Sequence, residues 1–526
     1  MLGLEAVVAL GVALLAGSVL ARRARIAPPV LLLGCGLLLG FIPALRQVHL
    51  PSEAVLLLFL PALLYWESLT TSLREIRSNL RVIVLSSTLL VIATAAAVAA
   101  AAHALGLPWG PAWVLVAALA PTDATAVGVL ARALPRRTLT TLRAESLIND
   151  GTALVVYGLA VGITVGEDQL GALNVSARFL LSYGGGALAG LVTAWLATQI
   201  HSRLDDPLQE NLVVLLTPFT AFLLAEVAHA SGVLAVVVCG LIMSQVGPRG
   251  GRADTRQQMT AFWSLATFLL NGALFVLVGM EAQSAARGLT SVDLTRGLLA
   301  VAVVSAVVIG TRFVWLFTTP YVIRALDRRP QQRLRRVGPR PRMVNGVAGF
   351  RGAVSLALAL AVPATTSSGD PFPGRDLIVF VTAGVVAVTL LQGLLLPRVV
   401  RWARIPRDTA VDEERRLAAT LAVEEALAAL PRTAADLGID PDVVERTRRE
   451  YEEHLGVLGA DGEDDDEPVV RHDQQYAALR LALLAHKRAT VVRLRDEQRI
   501  DDIVLRHFQT KLDIEEVRLA RPQPAE

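Results

Sequence analysis

Long apolar segments recur along residues 1–400, and they constrain the fold more than any other feature of the chain. A helix of about 20 apolar residues is long enough to cross a lipid bilayer. Because backbone N–H and C=O groups find no water in hydrocarbon, only helices and closed barrels can cross it. The segments are continuously apolar instead of alternating, which favours helices. The chain is 53% hydrophobic and 18% charged, and it is therefore predicted to be an all-α polytopic membrane protein.

These segments predict about 13 transmembrane spans. Their approximate positions are 4–21, 29–45, 53–70, 81–104, 112–132, 143–165, 175–202, 209–229, 231–247, 261–281, 297–323, 344–364 and 376–400. The weakest break is the short junction from His229 to Gly232, and its loss would make the number of spans even. The first apolar run lacks a basic start and an evident cleavage site, so we interpret it as a retained helix.

The distribution of arginines predicts the orientation of these spans. If the N-terminus lies outside, the cytoplasmic loops contain far more arginines than the outer loops, as the positive-inside rule requires. The cytoplasmic positions include Arg22 and Arg23, a group from Arg132 to Arg143, and a group from Arg324 to Arg342. We therefore expect a multi-pass protein of the cell membrane with a cytoplasmic C-terminal tail.

The composition changes after residue 400, which predicts two domains. Residues 1–400 are the predicted transmembrane domain, and residues 401–526 are a predicted soluble, helical, cytoplasmic tail. Amphipathic spacing predicts tail helices over 411–432, 440–457 and 472–517. An acidic linker near 460–467 interrupts them. It lacks the spaced ligands of a calcium-binding loop, which favours a solvated linker over a calcium site.

Several other classes of function are disfavoured. The net charge of +3 is small and the basic residues lie in short loops, so no nucleic-acid partner is expected. Cys35 and Cys239 both lie in apolar runs, and we interpret them as buried apolar side chains and not as a disulfide or metal pair. The chain has no Gly-rich, lysine-containing phosphate loop, which argues against ATP-driven transport.

A polar segment interrupts the fifth predicted span at Asp123. A charged carboxyl near the bilayer centre costs roughly 2.5–3.5 kcal/mol on insertion scales, so its presence points to a function. Pro121, together with Thr122 and Thr125, weakens helical hydrogen bonding and predicts a broken helix. A broken membrane helix frees carbonyl oxygens that can coordinate a cation. The alternative is a kinked helix in which Asp123 is neutral and hydrogen-bonded.

The sixth predicted span carries four polar residues at helical spacing. Glu145 and Asn149 share one helix face, while Ser146 and Asp150 share the adjacent face. Carboxylate and hydroxyl oxygens are hard donors that suit Na⁺ or Li⁺. With Asp123, they predict a site for a small monovalent cation, or for a proton in its place. A purely structural polar network is the alternative.

Two arginines and a further glutamate also lie within predicted spans. Buried arginines need partners because the guanidinium stays charged, and Glu145 is the natural partner of Arg312, leaving Asp150 free to titrate. Arg351 lies among glycines, which favours a second broken helix, although snorkelling is an alternative. Glu67 is either a site carboxylate or an interfacial one. Broken helices in corresponding positions of two halves predict inverted repeats, with the site where the broken helices cross.

These residues resemble the signature of the electroneutral sodium/proton antiporters, which comprise NhaP-type bacterial proteins and related animal exchangers. The resemblance rests first on Thr122-Asp123 followed by Glu145-Ser146-Leu147-Ile148-Asn149-Asp150-Gly151. Further matches are Leu60-Pro61-Ala62-Leu63-Leu64 with Glu67, Ala225-Glu226 with Ser231-Gly232-Val233-Leu234-Ala235, Phe262-Trp263, Asn271 with Phe275 and Gly279, and Phe350-Arg351-Gly352-Ala353-Val354-Ser355. The matches span about residues 60–356, and the tail shows none.

The resemblance implies thirteen helices, an elevator-like core that moves against a dimerisation domain, and a homodimer. The cation and proton site that it implies consists of Asp123, Asp150, Ser146, the Thr122 carbonyl and Glu67. It also implies that Glu145 and Arg312 form an ion pair. Ala124 stands where the family often has a proline, and Pro121 remains to break the helix. Asn149 stands where electrogenic relatives have a second aspartate, which implies one proton per cation.

The expected mechanism is competition at one carboxylate site. Asp150, helped by Asp123, binds either a proton or a monovalent cation, and no enzyme chemistry or cofactor is expected. A cation channel is one rival, but it would need pore rings or a filter loop. A membrane-anchored sensor with a vestigial bundle is another, and the Asp123 and Asp150 pair argues against it. The choice among Na⁺, Li⁺ and K⁺ stays open.

Overall fold

The structure is a computed structural model, and it divides the chain into two compact units, Met1–Arg407 and Asp408–Glu526. It describes all residues except 1, 25, 44–51, 72, 124–135, 167–171, 205, 247–252, 290, 327–337, 406–409, 460–467, 498, 500–501 and 520–526. The described residues are almost wholly helical, and the β pairing among them is one isolated bridge between Thr365 and Pro371. The predicted all-α class is confirmed.

The described part of the first unit contains helices α1 to α15. They are α1 (Leu2–Ala24), α2 (Pro28–Leu39), α3 (Ser52–Leu69), α4 (Leu73–Ala104), α5 (Trp109–Leu119), α6 (Arg136–Val165), α7 (Ala172–His201), α8 (Pro207–Val227), α9 (Gly232–Val246), α10 (Ala253–Gly288), α11 (Ser291–Leu326), α12 (Pro339–Val347), α13 (Ala353–Leu360), α14 (Arg375–Gly393) and α15 (Leu396–Ala403). Within the described residues, six helical segments are long and apolar enough to cross a membrane, and five more are apolar but shorter. The chain thus has the helices of a multi-pass membrane protein, and the number of thirteen spans stays a prediction.

Two groups of helix contacts in the first unit bear on the site, and α10 joins them by packing against α14. In one group α2 lies along α10, while α9 packs against α3, α7 and α8. In the other group α6 packs against α4 and α5, and α11 packs against α4 and α14. Helices α2 and α10 approach so closely that a Cβ on Gly36 would lie 2.1 Å from the Val276 carbonyl oxygen. Glycine is therefore required at this helix crossing.

Two helices are interrupted near the places where the sequence predicts breaks. Helix α5 ends at Leu119, and residues 121–123 have no regular secondary structure. The predicted span 344–364 is divided, since α12 ends at Val347 and α13 begins at Ala353. Pro121 removes a helical hydrogen-bond donor at the first break, and glycines lower the helical preference at the second. Residues 124–132 of the fifth predicted span lie outside the described residues.

One predicted span is divided in the structure, and one predicted junction between spans is confirmed. The predicted span 376–400 is also two helices, because α14 ends at Gly393 and α15 begins at Leu396 with a proline in its first turn. Proline is tolerated there because the first-turn N–H has no helical partner. The weak junction after α8 is a true break, where His229 adopts a positive φ of 52°.

The second unit consists of four described helices. They are α16 (Ala410–Leu437), α17 (Pro441–Gly459), α18 (Pro468–Asp496) and α19 (Asp502–Leu519). The amphipathic segment 472–517 consists of two helices, because the chain turns back between α18 and α19. The turn lets Arg480 pair with Glu515 at 2.5 Å and buries Leu484, Leu505 and Leu512, which a lone amphipathic helix would expose. The acidic linker 460–467 lies outside the described residues.

Candidate functional site

The two helix interruptions cross and are joined through their backbones. The amide nitrogen of Asp123 donates a hydrogen bond to the Phe350 carbonyl at 2.9 Å. A Cβ on Gly352 would lie 1.7 Å from Oδ2 of Asp123, so a larger residue cannot stand there without displacing the carboxylate. The crossed arrangement expected from the sequence is therefore present, and Asp123 lies at its centre.

Arg351 is buried at this crossing and is 3% exposed. Its Nε donates to the Leu119 carbonyl at 3.0 Å, and its Nη1 donates to the Gly349 carbonyl at 2.9 Å. Leu119 is the last residue of α5, so the guanidinium lies where the negative end of the helix dipole is concentrated. The alternative that Arg351 snorkels to the membrane surface is wrong. Its charge stabilises the broken end of α5.

Helix α6 presents two side chains to the broken segment. The Ser146 hydroxyl donates to the Thr122 carbonyl at 2.6 Å, and the Asn149 amide donates to the Thr122 hydroxyl at 3.1 Å. Asp150 is only 1% exposed, and its Oδ1 has no hydrogen-bonding partner within the described part of the chain. A buried oxygen in this condition calls for a proton, a water or an ion.

Glu145 and Arg312 form the expected ion pair, with 2.8 Å between Oε1 of Glu145 and Nη1 of Arg312. Arg312 also donates from Nε to the Asn345 carbonyl at 3.1 Å. Gly349 leaves room for this side chain, because a Cβ there would lie 2.3 Å from the Arg312 Cδ. The pair holds α6 against the second interruption, and it occupies the Glu145 carboxylate.

A cavity of about 360 Å³ opens beside the crossing. Carboxylates, a guanidinium and neutral oxygen donors share its wall. They are Glu67, Asp123, Asp150, Arg143, Thr70, Thr122, Ser146, Thr267, Asn271 and Ser355. Of the predicted residues, Asn149, Glu145, Arg312 and Arg351 lie outside this wall and support it.

Glu67 lines this cavity together with Asp123 and Asp150. Its Oε1 is buried without a hydrogen-bonding partner among the described residues. Trp66 stacks on Trp263 with ring centroids 5.9 Å apart, which fixes this end of α3 beside α10. The stack places Glu67 opposite α6.

Helices α6, α10 and α13 contribute cavity residues that were not predicted to belong to the site, and the one on α13 is Ser355. Arg143 was interpreted as a loop charge, but it lies within α6, which begins at Arg136. Its spacing to Ser146 and Asp150 is that of one helix face, which was the available signal. Thr267 and Asn271 extend the wall from α10. Their four-residue spacing in the sequence indicates that they share one helix face. Glu226 instead lines a separate cavity beside His229.

Chemically, the cavity presents separated oxygen donors. Within the described residues, no three His, Cys, Asp or Glu side chains are close enough to hold a metal ion as a cluster. The Thr122 carbonyl, the Ser146 hydroxyl and the carboxylates are hard donors of the kind that bind alkali cations. A carboxylate such as Asp150 can bind either such a cation or a proton.

Comparison with known proteins gives a consistent result. The profile described as "Sodium/hydrogen exchanger, transmembrane" matches residues 10–402. An uncharacterized Na⁺/H⁺ exchanger of Mycobacterium bovis is 49% identical over 528 aligned residues, covering 100% of this chain and 97% of the relative. An uncharacterized Na⁺/H⁺ exchanger of Escherichia coli is 28% identical, covering 93% and 94%.

Among solved structures, that of the sodium proton antiporter MjNhaP1 from Methanocaldococcus jannaschii is similar, with a TM-score of 0.57. The two chains are 21% identical, and the match covers 77% of this chain and 98% of that one. At this level of identity the likeness concerns the fold alone.

Proposed function

Because this chain belongs to the sodium/hydrogen exchanger family, a family of membrane transporters, we propose that it exchanges a monovalent cation for a proton. Asp150 is the carrier in this proposal, and Asp123 assists it. Each of the two cargoes neutralises the site, and binding one excludes the other. The transported ions are the substrates, and no cofactor or covalent step is required.

The observation that carries this proposal is the state of Asp150. The carboxylate is 1% exposed, faces the cavity, and has an oxygen with no hydrogen-bonding partner among the described residues. Leaving an ionised carboxylate buried and alone is costly, so it is stable only with a proton or a cation bound. A proton therefore leaves Asp150 only when a cation replaces it, and a cation leaves only when a proton replaces it.

The cation site that we propose consists of Asp123, Asp150, the Thr122 carbonyl, Ser146 and Glu67. The Ser146 hydroxyl donates a hydrogen bond to the Thr122 carbonyl, and this bond from α6 fixes the orientation of the carbonyl oxygen. Asn149 contributes an uncharged amide at the same place. The donor types suit Na⁺ or Li⁺, and a K⁺-selective exchanger is the alternative.

We propose an electroneutral stoichiometry of one proton per cation. Glu145 is held by Arg312 at 2.8 Å and so does not compete for cargo. Asn149 cannot carry a proton. The pair and the amide together limit the number of titrating groups beside Asp150, which favours a single proton for each cation.

A homodimer in the cell membrane, with the N-terminus outside and the tail in the cytoplasm, completes the proposal. In this arrangement the group of helices that contains α5 and α6 moves against the group that contains α3 and α10. The Glu67 carboxylate on α3 and the Asp150 carboxylate on α6 then face each other across the moving boundary. This arrangement accounts for the position of the cavity between the two groups.

Ion flux in proteoliposomes tests the proposal against a channel and against a vestigial bundle. An imposed proton gradient should drive saturable uptake of Na⁺ with the membrane potential clamped at zero. A channel would instead give flux that follows the potential, and a vestigial bundle would give no flux. Repeating the assay with Li⁺ and K⁺ identifies the cation.

A further inference from the structure

Arg143 is the one basic side chain among the described residues that line the cavity. It precedes Ser146 by three residues and Asp150 by seven, so the three share one face of α6. Its side chain is half-buried, and its charge acts electrostatically on the Glu67 carboxylate. The proposed exchange mechanism gives this residue no role.

The other two arginines near the crossing have structural partners. Arg312 is paired with Glu145, and Arg351 donates to the carbonyls of Leu119 and Gly349. Arg143 differs because it faces the space in which a transported cation would bind. A guanidinium does not deprotonate in proteins, so its charge is permanent.

We propose that Arg143 is a built-in counter-cation that weakens binding of the transported cation and so sets the concentration range in which the exchanger works. The inference rests on the proposed function and concerns the same cavity. Arg143 offsets part of the attraction that the cavity carboxylates exert on Na⁺. Weak binding of Na⁺ favours its release on the far side of the membrane, and a transporter must release the ion as well as bind it.

The test is the sodium dependence of proton movement in membrane vesicles, measured at alkaline pH where protons compete least. Arg143→Gln should lower the KM for Na⁺ by about tenfold, the size expected when one unit charge leaves a cavity with partial solvent access. Arg143→Lys keeps the charge, and its KM should stay within about twofold of the wild-type value. The maximal rate of Arg143→Gln should fall or stay level, because tighter binding slows release.

Arg203→Gln is the matched control, since Arg203 is an exposed arginine outside the cavity wall. Its KM should not change, which separates a local effect from a change in surface potential. Should Arg143→Gln fail to insert, Arg143→Met removes the charge and keeps the aliphatic length.

Three outcomes distinguish the possibilities. A lower KM in the charge-removing variants alone supports the inference. An unchanged or higher KM in a folded, active Arg143→Gln or Arg143→Met protein overturns it while leaving the exchange function in place. A wild-type protein without sodium-dependent proton movement overturns the proposed function itself, and the inference with it.

Discussion

The backbone amide of Asp123 donates a hydrogen bond to the carbonyl of Phe350, 2.9 Å away. This bond joins two interruptions that are more than 200 residues apart in the chain. The bond gives a partner to one backbone group of each interruption, at positions where neither segment is helical. The position of the Asp123 carboxylate therefore depends on the fold of the second interruption.

Gly352→Ala should abolish exchange, because the new Cβ would lie 1.7 Å from Oδ2 of Asp123. The carboxylate must move or the crossing must widen, and overpacking of this kind costs about 1–3 kcal/mol of stability. Gly184→Ala is the control, since a Cβ there meets nothing within 4 Å. Thermal unfolding and exchange assays on both variants check the prediction. Normal exchange by Gly352→Ala would show that the crossing is looser than the structure indicates.

The Glu145 and Arg312 pair should show strong energetic coupling. Glu145→Gln or Arg312→Gln alone leaves a buried charge without its partner, which costs roughly 3–5 kcal/mol. The double variant should cost clearly less than the sum of the two single variants.

A double-mutant cycle in unfolding free energy measures this coupling. The exposed pair of Arg446 and Glu450, 3.3 Å apart in the tail, is a matched control that should couple by less than about 1 kcal/mol. Strict additivity at Glu145 and Arg312 would reject the assigned role of the pair.

Asn149→Asp should make exchange sensitive to voltage. The spacing along α6 puts Asn149 on the face of Glu145, yet the structure directs its amide to the Thr122 hydroxyl at 3.1 Å. An added carboxylate there would lie beside the Thr122 hydroxyl, next to the proposed cation site, so it can carry a second proton. Asn149→Ala adds no charge and should remain insensitive to voltage. The measurement compares exchange rates at zero and at a large imposed membrane potential. An Asn149→Asp exchanger whose rate does not depend on voltage would contradict this prediction.

The sequence draws attention to Asp123 and Asp150 because charged groups in apolar spans need an explanation. Pro121 beside Asp123, and glycines around Arg351, were sufficient to locate both breaks. The pairing of Glu145 with Arg312 followed from the cost of a lone buried charge. In each case the residues themselves, a proline, glycines or an unpaired charge, indicate the local structure.

Other features could not be predicted because they depend on where helices begin and on backbone partners. Arg143 stands at the start of its predicted span, and its spacing to Ser146 and Asp150 becomes decisive only once α6 is seen to begin earlier, at Arg136. The partners of Arg351 are carbonyl oxygens, which leave no mark in a sequence. The turn between α18 and α19 contains no glycine or proline, and packing between the two helices determines it.

Sodium-driven proton movement by the Asp150→Asn protein tests the central claim most directly. The measurement uses purified, folded protein in proteoliposomes at zero membrane potential, beside the wild type. An amide can neither carry the proton nor bind the cation as a carboxylate does, so exchange should fall to the level of empty liposomes while the wild type exchanges. Retention of more than about half the wild-type rate would contradict the account, because a buried carboxylate that can be neutralised without consequence is not the carrier.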